Sequence, residues 1–150
     1  MGAGRAARAP APTDGDDAIR RAANRSTAPT GAVRHAYETL GRETARLYEI
    51  VRHRLGVRVR VADRDPYTGA ADLCAELRRH GTMTLCRDEP HPLLGERFDE
   101  LRVVHDVFGH AALGLGFDLQ SEFATWLKCR ALFSPAARPA AFSEPAELFQ

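Results

Sequence analysis

From Val33 to Leu55 the side chains Val33, Tyr37, Leu40, Thr44, Leu47, Val51 and Leu55 recur at alternating steps of four and three. That period is the stripe of an amphipathic helix, which must lay one face on a core and leave the other to water. Gly56 stands where a left-handed residue would close the helix. The period then changes. Val57-Arg58-Val59-Arg60-Val61 alternates β-branched and charged residues, the pattern of a strand buried on one face. A long helix feeding directly into a strand restricts the chain to folds that pack both against one core.

The rest of the chain supplies the packing partners. Asp65-Pro66-Tyr67-Thr68-Gly69 has the residues of a turn. A short helix follows, turning Leu73 and Leu77 inward and closing at His80-Gly81. Thr82-Met83-Thr84-Leu85-Cys86 is a second strand, and Arg87 to Gly95, with two prolines, is loop. From Glu96 the pattern is helical again, with Phe98, Leu101, Val104, His105 and Phe108 near one face. Gly114 and Gly116 break the run. Asp118 can cap a further helix, Leu119 to Phe133, whose apolar residues on nearly every side predict burial. Ser134-Pro135 stops it, and Pro139 to Gln150 shows no clear period. Residues 1–29 are rich in Ala, Arg, Gly, Pro and Asp and hold almost no large apolar side chain. Such a segment cannot bury enough surface to offset its ordering entropy and is expected to be a disordered tail. The sum is an α+β fold: a single, mostly helical domain over 30–150 with a small two-stranded β element.

Composition excludes some function classes. The 150 residues carry 21 basic and 20 acidic side chains, a formal net charge of +1. That balance is not the basic excess of a dedicated nucleic-acid binder. The arginines between the valines have no interleaved aromatic to stack on bases, so they are expected on a solvated strand face. No run approaches the ~20 apolar residues that span a bilayer, and the first residues lack the apolar core of a signal peptide. A cytoplasmic location is expected. Cys74, Cys86 and Cys129 have no CxxC spacing and fit buried thiols in a reducing compartment. No phosphate loop, dinucleotide fingerprint or serine nucleophile elbow occurs.

One string carries chemistry: His105-Asp106-Val107-Phe108-Gly109-His110, followed by Glu122. Two histidines and a carboxylate are ligand types for Zn²⁺ or Fe²⁺. In a regular α-helix, residues five apart diverge by about 140°. An inserted residue, a π-bulge, brings them back to one face, and such bulges are frequent at functional sites. The spacing therefore predicts a distorted helix near Gly109, whose lack of a Cβ eases the distortion. Glu122 shares a stripe with Trp126, Cys129 and Phe133. A glutamate among apolar neighbours is costly unless paired or bound to metal, which makes it the third ligand. Asp106 is either an acceptor that orients a ligand histidine or a general base acting on water. The competing reading leaves both histidines structural and pairs Glu122 with Arg102 or Arg130. His35, His53, His80 and His91 have no partner at ligand spacing, although His91, between Pro90 and Pro92, could fix its loop near the site. Glu144 and Glu147 are the alternative sources of a third ligand.

The stretch from Asp65 to about Glu144 resembles a family of small uncharacterised proteins found mainly in bacteriophages. The residues that carry the resemblance are Asp65-Pro66-Tyr67, His91-Pro92-Leu93, Arg102, Val104-His105-Asp106, Phe108-Gly109-His110, Gly116-Phe117, Glu122 with Trp126, and Phe133-Ser134-Pro135. The resemblance implies a shared site rather than a particular reaction. The shorter string is similar to the HExxGH of aromatic amino acid hydroxylases, where both histidines and a later glutamate hold non-haem iron. It is also similar to the HExxGH of dipeptidyl peptidase III-type zinc peptidases, where the intervening glutamate is the general base. Both similarities imply that His105 and His110 are ligands. Asp106 stands where those families have glutamate, and Glu122 follows sooner than their third ligand. The expectation is a mononuclear metalloenzyme acting on an unknown small molecule, with non-haem iron oxidation ahead of zinc-dependent hydrolysis. A non-enzymatic, phage-like accessory or interaction domain is the alternative of a different class.

Overall fold

The computed structural model describes residues 30–147, with side chains up to Ser143. The expected tail over 1–29 and the side chains of Glu144 and Glu147 lie outside the described residues. Residues from Gly31 on form one compact unit. Its order is helix α1 (Gly31–Glu49), a π-helical turn (Ile50–Arg54), strand β1 (Arg58–Ala62), α2 (Ala70–His80), β2 (Thr82–Cys86), α3 (Arg97–His105), a second π-helical turn (Asp106–Ala111), α4 (Leu119–Arg130) and α5 (Arg138–Glu147). The fold class is the expected one, mostly helical α+β with a two-stranded sheet.

The long stripe does build α1, burying Tyr37, Leu40 and Thr44. The helix widens at its end, where the Leu55 amide bonds five residues back to the Ile50 carbonyl at 3.0 Å. Gly56 follows at φ 68°, the left-handed closure expected of it. β1 and β2 run parallel, with Arg58 opposite Thr82 and Ala62 opposite Cys86. α2 provides the crossover that parallel neighbours require and ends in left-handed Gly81.

Burial along β1 fades rather than holding to one face. Val57 is buried before the strand begins, Val59 is half-buried, and Val61 is 52% exposed. The apolar cluster beneath the sheet, made of Val51, Leu73, Met83, Leu85, Val103 and Val107, underlies only the start of β1. The arginines Arg58 and Arg60 are solvated as expected. Tyr67 ties this region together. Its hydroxyl donates to Glu76 at 2.8 Å and accepts from the Thr84 amide at 2.7 Å.

A second cluster joins α1, α3 and α5 through Tyr37, Leu40, Leu101, Val104, Ala137 and Ala140. Tyr48 and Phe108 pack against both clusters and so join them into one core. The segment after Pro139, which shows no clear period in the sequence, forms most of α5. Its inward face is alanine, which packs closely on α1 but gives too little hydrophobic contrast to reveal a period. Pro139 is tolerated because it lies in the first turn, where the amide has no helical partner. And α4 is not buried on all sides. Leu119, Phe123 and Leu127 are 63%, 55% and 43% exposed, since only the face bearing Thr125 and Cys129 meets the rest of the fold. That helix also stops at Arg130 rather than Phe133, passing into turns.

Candidate metal centre

The second π-helical turn lies where the spacing requires it, at Asp106–Ala111. It carries the extra residue that swings His110 back toward His105. The two Nε2 atoms lie 3.1 Å apart, whereas an undistorted helix would send the rings to different sides. The missing Cβ of Gly109 also matters across the interface with α4. A Cβ built on it would lie 2.0 Å from Thr125 Cγ2 and 3.4 Å from Cys129 Sγ. Without a side chain there, the turn can approach α4 closely.

That approach delivers the carboxylate. Asp118 caps α4, accepting from the Ser121 amide at 3.0 Å, and Glu122 follows in the first turn. Glu122 Oε2 lies 3.1 Å from His105 Nε2, and Oε1 lies 3.0 Å from His110 Nε2. Metal–ligand distances near 2.0–2.2 Å place neighbouring ligand atoms roughly 3 Å apart. The three side chains are therefore already at the separation one small cation would impose, and their ligand atoms all lie within 4.8 Å of one another. His110 is fully buried, while His105 and Glu122 keep 23% and 18% of their side-chain surface.

The surroundings of the three groups are compatible with a ligand role. His110 Nδ1 faces the Leu115 carbonyl at 3.3 Å. When the ring is neutral, donation from Nδ1 to that carbonyl would leave Nε2 as the atom able to bind a cation. Phe117 packs edge-on against the same ring. Burial alone would raise the Glu122 carboxyl, but hydrogen bonds from His105 and His110 outweigh it and hold the group at about 2. Burial would likewise lower His110, yet its hydrogen bond to Glu122 and the nearby negative charge lift it above the ordinary histidine value. His110 and Glu122 thus favour each other's charged forms, and a cation bound there would compete with protons for the same atoms.

Asp106 does not orient a histidine. Among the described residues its carboxyl makes no hydrogen bond to either ring; it lines the cavity beside the triad. Burial pushes its ionisation upward against the pull of His105, His110 and Arg102. The competing ion pairs of Glu122 are not formed. Arg102 donates instead to the Cys86 carbonyl at 2.9 Å and to Asp99 at 3.2 Å, and Arg130 lies over the Trp126 ring. Burial, reinforced by Asp106 and Glu122, pushes the Cys129 thiol to about 12, and the cluster at ligand distance comprises His105, His110 and Glu122. His91 does fix its loop. Its Nδ1 accepts from the Leu93 and Leu94 amides, and its ring stacks between Tyr37 and Phe98.

The triad opens on a cavity of about 210 Å³, walled by Phe98, Leu101, Val104, Trp126, Phe133 and Ala141. The stripe Glu122, Trp126, Cys129 and Phe133, legible in the sequence, lines it as a unit. What the sequence reading missed is Phe98 and Ala141, because only tertiary packing of α3 and α5 brings them to the same space. No family model, no curated protein and no solved structure matches the chain.

Proposed function

We propose that the protein is a mononuclear metalloenzyme in which His105, His110 and Glu122 hold one divalent cation. The observation that carries this reading is the mutual separation of 3.0–3.1 Å among the three ligand side chains. Two histidines and one carboxylate leave coordination positions open, and here the open side adjoins an apolar cavity able to admit a small molecule. That set favours Fe²⁺ and oxidation of a small organic substrate with dioxygen as the oxidant. The protein's own contribution is to fix the ligands, exclude bulk water through its aromatic walls and orient the substrate.

A second reading is supported by Asp106. Its carboxyl lines the cavity without a hydrogen-bond partner among the described residues, where it can take a proton from an attacking water in a Zn²⁺-dependent hydrolysis. The test is metal content by mass spectrometry on protein purified without a histidine tag, beside His110→Ala. Near-stoichiometric iron, lost in the variant, supports the oxidative reading, and stoichiometric zinc supports the hydrolytic one. No metal in either protein after anaerobic reconstitution with both ions overturns both. A phage-like accessory or interaction domain with structural histidines would then be the account to pursue.

A further inference from the structure

On the side away from Thr125 and Cys129, α4 presents Leu119, Phe123 and Leu127 to solvent. Their spacing of four residues sets them in one stripe along the helix. The stripe extends onto α5. Phe123 stacks on Trp126 with ring centres 6.0 Å apart, and Trp126 meets Phe142 edge-on at 4.8 Å. Phe142 is itself 54% exposed. At roughly 200 Å² for a large side chain fully in water, Leu119, Phe123, Leu127 and Phe142 together leave about 400 Å² of apolar surface in one patch. Patches of that size on a folded protein commonly mark contact sites. Outside the described residues, 1–29 hold only Met1 and Ile19 as large apolar side chains and 148–150 only Leu148 and Phe149, so neither end of the chain has an apolar stripe to match it.

We propose that this face is the interface of a two-fold symmetric dimer, in which α4 of one copy packs antiparallel on α4 of a second. The area fits. A standard interface removes about 800 Å² from each partner, a little over half of it apolar, and the patch supplies close to that apolar share. The pattern fits as well. A two-fold interface must be self-complementary, and a stripe centred on Phe123 is so: with the axis beside Phe123, Leu119 of each copy meets Leu127 of the other. Between Asp118 and Lys128 the only charged side chain is Glu122, which is turned to the histidines, so no like charges meet at the axis. The helix ends are complementary too. Antiparallel packing sets the basic end of α4, with Lys128 and Arg130, beside the N-terminal end that Asp118 caps, and it opposes the two helix dipoles. The interface lies away from the triad, so it stands whether or not a metal is held there.

Sedimentation equilibrium of the full chain tests this. The native chain is expected to be mostly dimer at about 100 µM, as an association in the micromolar range requires. Phe123→Glu sets two like charges face to face at the axis and should raise the dissociation constant at least about a hundredfold. Leu127→Gln should raise it about tenfold. Both positions are exposed, so circular dichroism should be unchanged in either variant. Register is tested by mild oxidation. Phe123→Cys lies beside the axis and should join two copies through a disulfide, whereas Val61→Cys, exposed on β1, should link no more than the native chain with its own three cysteines. A native chain that stays monomeric at 100 µM overturns the proposal, and flotation of that monomer with anionic lipid vesicles would assign the patch to a membrane surface instead. A dimer that survives both α4 substitutions also overturns it, because the interface would then lie elsewhere. So does a dimer in which Phe123→Cys links no better than Val61→Cys, since the two stripes would not meet at Phe123.

Discussion

Within the triad, individual residues have separable duties that substitution can expose. Gly109 admits no side chain, because a Cβ would overlap Thr125 Cγ2. Gly109→Ala must push the turn away from α4 and so separate the histidines from Glu122. We expect a stability loss of about 1–3 kcal/mol, typical of an overfilled core, together with loss of high-affinity Zn²⁺ binding; urea unfolding and metal titration report the two effects separately. Protonation gives a second residue-level expectation. Glu122 is depressed from 4.5 to about 2, so its stabilising contribution is present above pH 4.5 and is lost as pH falls toward 2. His110 is raised above 6.5, so its contribution is full below pH 6.5 and is lost as pH rises through its folded value. The metal-free chain should therefore be most stable between about pH 4.5 and 6.5. Thermal melts across pH check this, and Glu122→Gln should flatten both limbs. An unchanged profile in that variant would mean the cluster does not couple as its geometry implies.

Elements matter here through their ends. α4 starts at a capping aspartate, and the position of that first turn is what brings Glu122 to the histidines. Asp118→Ala should cost about 1 kcal/mol, the ordinary value of an N-cap, and should also weaken metal binding although Asp118 is no ligand. Retained metal affinity in a destabilised variant would show that Glu122 is positioned by packing alone. The sheet depends on a comparable anchor. Tyr67 bonds both Glu76 and the Thr84 amide, and burial pushes its hydroxyl to about 12, so it stays protonated. Tyr67→Phe leaves the Thr84 amide without this acceptor and removes one of the hydrogen bonds to Glu76, and should cost about 1–3 kcal/mol in urea unfolding. The metal site, built from α3, the following turn and α4, should remain intact. Asp65-Pro66-Tyr67 thus belongs to the scaffold rather than to the chemistry.

At the scale of the whole molecule, the proposed cation is a cross-link between the π-helical turn and α4. Binding to the folded state alone stabilises by an amount set by concentration, about 2.7 kcal/mol at one hundred times Kd. Zn²⁺ should raise the unfolding free energy of the native chain accordingly and leave His110→Ala unmoved; equal stabilisation of both proteins would indicate binding elsewhere. Among the described residues no helix is long and apolar enough to cross a membrane.

The amino-acid sequence by itself determined the helical stripe of α1 with its glycine closure, the two strands, the cap of α4 and the candidate trio His105, His110 and Glu122. Each of these is a local pattern with a local cause: a period, a turn residue, or a spacing that makes sense only with one extra residue in a helix. The tertiary structure decided what depends on facing surfaces. Alanines that carry no amphipathic signal become the buried face of α5 because α1 lies close enough to use small side chains. Apolar residues of α4 remain exposed because burial depends on how many neighbours a helix has, not on its own composition. Gly109 is required by Thr125 across the interface, which no one-dimensional reading pairs with it. Asp106, next to His105 in the chain, lines the cavity without a direct hydrogen bond to either histidine. The candidate ligands were legible because chelation imposes a spacing; the chamber around them was not, because its walls come from elements distant in sequence that only packing brings together.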